Sequence, residues 1–95
     1  PYGDCSLVRI ANLYANIVQR GTDKDLSDCF AMVSERAARI LRKADYGITV
    51  GKPADLVVWN AKTPAEVIAT VAQPAMGFKR GRRIFTRESP TLHRP

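Results

Sequence analysis

The sequence predicts an α/β chain that is part of a fold rather than a whole one. Three observations point there. Apolar residues recur at helical spacing through the first half. Short apolar runs broken by Gly and Pro turns follow in the second half. The central strand candidate wants neighbours on both sides, and this chain holds few strands to provide them.

Pro1-Tyr2-Gly3 reads as loop, and Asp4 can cap a helix. Leu7, Ile10, Ala11, Tyr14, Ile17 and Val18 then mark one buried helical face. Gly21 is placed to stop that helix in a left-handed turn. Thr22 or Asp23 caps the next helix, with an apolar stripe of Leu26, Cys29, Phe30, Val33, Ala37, Ile40 and Leu41. Arg36, Arg39, Arg42 and Lys43 crowd its last turns, where cations suit the helix dipole. The short connection predicts an antiparallel or steeply crossed pair.

Asp45-Tyr46-Gly47 and Gly51-Lys52-Pro53 are turn signals. Leu56-Val57-Val58-Trp59 is a continuous apolar run that fits a strand covered on both faces. Thr63 as N-cap, Pro64 at the first helical position and Glu66 in the first turn open a short helix. Its apolar positions are Val67, Ile68 and Val71, and Pro74 ends it. Met76–Lys79 and Arg83–Thr86 flank Arg80-Gly81-Arg82 and read as a hairpin. Residues 88–95 are expected to form a loose tail.

The bulk numbers fit this picture. Ninety-five residues bury only roughly 60–65% of their unfolded surface, so a core of this size is marginal without help. With 45% apolar and 25% charged residues, the composition is that of a globular protein and not a disordered one. No apolar run approaches the roughly 20 residues of a membrane helix. The first residue is Pro1 rather than Met, so the chain is expected to start inside something longer. Expressed alone, it should be poorly stable or associate.

The net charge of +6 is local. Residues 76–95 carry +5 through Lys79, Arg80, Arg82, Arg83, Arg87 and Arg94 against Glu88, and the first 75 residues carry +1. A domain built to grip nucleic acid would spread its charge over one face. The Lys79–Arg83 cluster could still hold phosphates. The plainer reading is a solvated hairpin tip whose charges guard an edge strand.

No catalytic constellation can be assembled from these residues. A catalytic zinc needs about three protein ligands. His93 is the only histidine and lies in the tail. Cys5 and Cys29 form no CxxC pair and read as buried free thiols, which suits a reducing, cytoplasmic setting. A dyad of either cysteine with His93 would lack preorganisation. No GxSxG, Walker loop or GxGxxG is present. The expected catalytic, cofactor-binding and metal residues of this chain are therefore none.

Three segments carry a resemblance: Ser34-Glu35-Arg36-Ala37-Ala38-Arg39-Ile40-Leu41, then Asp45 through Trp59 (DYGITVGKPADLVVW), then Phe78-Lys79-Arg80-Gly81-Arg82-Arg83-Ile84. Together they resemble the C-terminal region of the amidohydrolase superfamily. Pro1-Tyr2-Gly3 and the following helix look like the cytosine-deaminase branch, and N-isopropylammelide-type amidohydrolases are similar there. Read physically, Gly51 and Pro53 make the turn, and Asp55 can bond turn backbone as the chain enters the strand. That makes Asp55 a structural carboxylate rather than a catalytic base.

The resemblance implies the last helices of a metal-dependent (β/α)8 barrel over residues 1–44. Residues 45–87 would give strands and a short helix to a small composite β domain, and 88–95 the tail. It implies a divalent metal, Zn or Fe, that activates water against a C–N bond, as in deamination of a cyclic nitrogen compound such as cytosine. The ligands of that metal belong to segments absent from this sequence, so Asp4 takes no such role. Tyr2 lies nearest to where a barrel loop would meet the site. The implied partners are the remainder of the same enzyme chain and a small-molecule substrate, with no membrane or nucleic acid and with a homo-oligomer left open. The alternative is a small basic module contacting nucleic acid or a protein partner through the Lys79–Arg83 hairpin.

Overall fold

The computed structural model describes residues 3–94, so the expectations for Pro1, Tyr2 and Pro95 lie outside the described residues. The order is α1 (Leu7–Ile17), α2 (Asp23–Met32), α3 (Glu35–Ile40), β1 (Leu56–Trp59), α4 (Pro64–Ala69), β2 (Pro74–Lys79) and β3 (Arg82–Thr86).

The starts of α1, α2 and α4 follow from their capping chemistry. Ser6, rather than Asp4, is the N-cap of α1: the Arg9 amide donates to its hydroxyl. Asp4 sits two residues upstream, and its carboxylate accepts from the Ser6 amide. Thr22 caps α2 by accepting from the Asp25 amide. Thr63 caps α4 by accepting from the Glu66 amide, with Pro64 in the first turn as expected. The Glu66 carboxylate reaches back to the Lys62 amide, so one orphan donor of the helix and the amide just before its cap are both satisfied.

The helix ends differ from the expectation. The left-handed residue after α1 is Gln19, not Gly21. Arg20 donates to the Ala15 carbonyl and Gln19 to the Asn16 carbonyl, which is the Schellman arrangement. Arg42 after α3 and Val71 after α4 repeat that geometry, with Lys43 donating to Ala38 and Ala72 donating to Val67. Val71 is β-branched at φ 48°, a costly conformation. It packs against the core, and so does the Ala72 that follows it.

The long second helix expected from the sequence is broken at Val33–Ser34. The Ser34 hydroxyl donates to the Phe30 carbonyl, and the Ser34 backbone (φ −130°, ψ −99°) leaves helical space. The expected apolar stripe therefore ends at the break. Leu26, Cys29, Phe30 and Val33 pack inward, while Ile40 and Leu41 are exposed.

The core is small and helical. Val8, Ala11 and Ala15 of α1 meet Cys29 of α2 and Val67 and Ile68 of α4. Of the face expected to be buried on α1, only Ala11 is. Leu7, Ile10, Tyr14, Ile17 and Val18 face outward, with Ile10 at 57% and Ile17 at 71% exposure. The inward face is turned round the helix from the periodic one, because α2 and α4 both pack on the Val8–Ala15 side.

The three strands form one antiparallel sheet in the order β1-β2-β3. The expectation that β1 is covered on both faces does not hold: Val57 and Val58 are 48% and 43% exposed, and β1 is an edge. Trp59, at its end, packs against the helical core and ties sheet to helices. The hairpin turn is two residues, not three: Lys79 pairs with Arg82 across Arg80 and Gly81. Both turn residues have positive φ (50° and 79°), the signature of a twist-matched hairpin turn. Phe85 lies over Gly77, and a Cβ at Gly77 would stand 2.3 Å from its ring.

Candidate functional site

The titratable residues singled out from the sequence are scattered by the fold. Cys29 is 1% exposed in the helical core, and burial pushes its thiol upward, with Asp25 adding to the effect. Cys5 is exposed in the loop before α1, which corrects its expected burial: its backbone sits at φ 62°, ahead of the first helical turn. His93 is exposed in the C-terminal segment. Among the described residues no group of three or more His, Cys, Asp or Glu gathers to hold a metal ion. The residues present do not fit a catalytic divalent metal.

Asp55 acts at a distance. Its Oδ1 accepts from the Arg80 amide at 2.8 Å, twenty-five residues on. Beside it, the Gly81 amide donates to the Ala54 carbonyl at 3.0 Å. The segment leading into β1 thus grips the β2–β3 turn through two hydrogen bonds. The reading of Asp55 as a structural carboxylate stands, with the hairpin turn, rather than its own turn, as its partner.

A polar contact missed by the sequence reading is Asn12. Its side-chain amide donates to the Ile68 carbonyl at 2.9 Å, joining α1 to α4. A single Asn inside a helical pattern carries no signal of a partner fifty-six residues away. The acidic residues of α2 are likewise structural. Asp28 sits between Lys24 at 2.9 Å and Arg36 at 3.7 Å. The hydrogen bond from Lys24 holds its carboxyl below the usual range against partial desolvation, helped by the charges of Lys24, Arg36 and Arg20.

What distinguishes the surface is its apolar area. Leu7, Ile10, Leu13, Tyr14 and Ile17 form an outer stripe on α1 beside the buried one, so well over half of that helix's circumference is apolar. Ile48 and Val50, in the motif between α3 and β1, are also fully open to solvent.

The amidohydrolase family (Amidohydro_3) matches residues 6–85. The chain belongs to the amidohydrolase family. The N-isopropylammelide isopropyl amidohydrolase of Pseudomonas sp. (strain ADP) is 35% identical over 93% of this chain, which covers 22% of that relative. Two structures of 5-methylcytosine deaminase from Klebsiella pneumoniae match in three dimensions. The form liganded with 5-fluorocytosine has a TM-score of 0.91 at 28% identity, covering 100% of this chain and 23% of that one. The form liganded with phosphonocytosine has a TM-score of 0.89 at 27% identity, covering 99% of this chain and 23% of that one. These place the amidohydrolase chain in the cytosine deaminase-like branch. It spans less than a quarter of the length of the relatives it matches. Among the described residues no helix is long and apolar enough to cross a membrane.

Proposed function

We propose that this chain is the C-terminal structural portion of a longer metal-dependent amidohydrolase, one that hydrolyses a C–N bond in a cyclic nitrogen compound such as cytosine. On this reading it supplies no catalytic residue. The outer stripe of α1 carries the proposal. Large apolar side chains at Leu7, Ile10 and Ile17 face solvent, while the small Ala11 and Ala15 face the chain's own core. That distribution suits a helix held between two layers. The fold as a whole is also contained within less than a quarter of a deaminase chain.

The outer stripe would then cover the strand layer of a (β/α)8 barrel, where such enzymes place catalytic groups at the strand ends. The exposed β1 edge and the Ile48–Val50 segment would be covered by strands of a small composite β domain. The divalent metal, Zn or Fe, would be held by ligands on other segments, because the residues here do not fit it. The metal-supplied chemistry would be water activation. The reading places the protein in the cytoplasm with a small-molecule substrate.

The test is ammonia release by the intact protein, supplied with Zn or Fe, from cytosine and 5-methylcytosine, with alkylamine release from N-isopropylammelide as a parallel arm. Turnover of one of these rings supports the reading. Failure on all three, by a folded and metal-loaded protein, overturns the ring-compound assignment.

A further inference from the structure

We propose that the β2–β3 hairpin tip is a contact site for a run of phosphate groups. The site is Lys79, Arg80, Arg82 and Arg83. Together with Ile84, these residues line one open concavity at the end of the sheet.

Three observations carry this. The first is charge left over by the fold. The ion pairs among the described residues use Arg20, Lys24, Arg36 and Lys43, and none involves a hairpin cation. The second is rigidity. Arg80 holds φ 50°, which Gly or Asn would adopt more easily. Asp55 and Ala54 fix that turn through the Arg80 and Gly81 amides. Asp55 thus spends its hydrogen bond on the Arg80 backbone, and no salt bridge joins its carboxylate to the Arg80 guanidinium. The third is placement. Arg82 and Arg83 lie on the β3 edge, where charge also discourages strand pairing. Edge protection does not require the further cations at Lys79 and Arg80, at and before the turn itself.

The chemistry of the ligand follows from the side chains. Guanidinium forks match phosphate oxygens bidentately. One exposed ion pair is weak, so the ligand must offer several charges in a row. No aromatic residue lines the concavity, so it provides no platform for stacking bases. The shared chemistry is therefore a chain of phosphates, free or as a nucleic-acid backbone. The site rests on the hairpin tip staying uncovered in the longer protein proposed above, and its test reads binding rather than turnover.

The experiment titrates the intact protein with inorganic tripolyphosphate and, separately, with a single-stranded oligothymidylate, across a salt series. Contact with about four phosphates of the oligothymidylate gives a log–log salt slope of about −3, or roughly a 60-fold weakening between about 50 and 200 mM salt. The probe that binds more tightly per phosphate names the source. The double variant Arg82→Glu/Arg83→Glu is expected to lose at least about tenfold in affinity. The charge-matched variant Arg39→Glu/Lys62→Glu, at exposed sites elsewhere, is expected to change it less than about twofold. Arg82→Gln/Arg83→Gln, with the sheet checked by circular dichroism, should show the same loss in weaker form. Equal losses in the two charge-reversed variants, or no binding of either probe at low salt, would overturn the proposal.

Discussion

The two apolar faces of α1 are built from different residues. The face turned to α2 and α4 holds Val8, Ala11 and Ala15, and small side chains let those helices approach closely. The outer stripe beside it holds Leu7, Ile10, Leu13 and Ile17, all open to solvent. A self-sufficient small domain would put its largest apolar side chains inside, where each fully buried one contributes about 1.5–3 kcal/mol. Here the larger potential gain lies on the face this chain leaves uncovered. The contrast supports the proposal that α1 lies between two layers, with its own core as one of its two contacts.

Polar substitution on the outer face breaks this contrast most directly. Ile10→Gln with Ile17→Gln should cost about 3–6 kcal/mol in the intact longer protein, where both side chains are proposed to be covered. In the 95-residue chain alone the same pair should change stability by no more than about 0.5 kcal/mol and reduce self-association. Urea unfolding midpoints in the two contexts give the comparison. Equal tolerance in both would show that the outer face stays bare. Ile68→Ala is the matched change on the inner side, since Ile68 is fully buried. It should cost about 2–5 kcal/mol wherever it is measured.

A smaller effect is expected at the joint between α1 and α4. Asn12→Ala removes the side-chain donor to the Ile68 carbonyl, which keeps only its bond from the Val71 amide. The cost should be about 0.5–1.5 kcal/mol, the net worth of one hydrogen bond, with amides of α4 losing protection first. An unchanged exchange pattern would mean that apolar packing alone holds the two helices together.

The smallest effect concerns pH. Asp28 is held below its ordinary carboxylate value by Lys24, so the unfolded state binds its proton more readily than the folded one. Its contribution is present above the unfolded value, near pH 4, and is lost as pH falls through the lower folded value. Asp28→Asn should therefore be less stable than the parent near neutrality and equal to it in strong acid. Since the partners are largely exposed, added salt should shrink the difference. A difference that persists in strong acid would assign the effect to packing.

Local chemistry was readable where one residue type does one job. Thr63 was legible as a cap and Thr22 as one of two candidates beside Asp23, while the Ser6 cap of α1 was missed in favour of Asp4. Pro64 at the start of a helix was legible as well. The stops were not, since Gln19, Arg42 and Val71 take the left-handed position that sequence rules reserve for Gly or Asn. Nor was the break at Ser34, because a serine in a helical pattern signals back-bonding only once the local backbone is seen. The candidate site was legible mainly as a set of motifs that bind nothing together.

The sequence by itself determined which segments are helix and which are strand, the family, and the concentration of cations at the hairpin. Periodicity, capping and turn chemistry are local, and so is the order of residues that carries the likeness. Only the tertiary structure decided which apolar face of α1 turns inward, that β1 is an edge, and that Asp55 holds a turn twenty-five residues away. A period fixes a stripe but not the neighbour that covers it. That neighbour depends on how distant segments meet, and a helix with two apolar stripes gives the same periodic signal on either side.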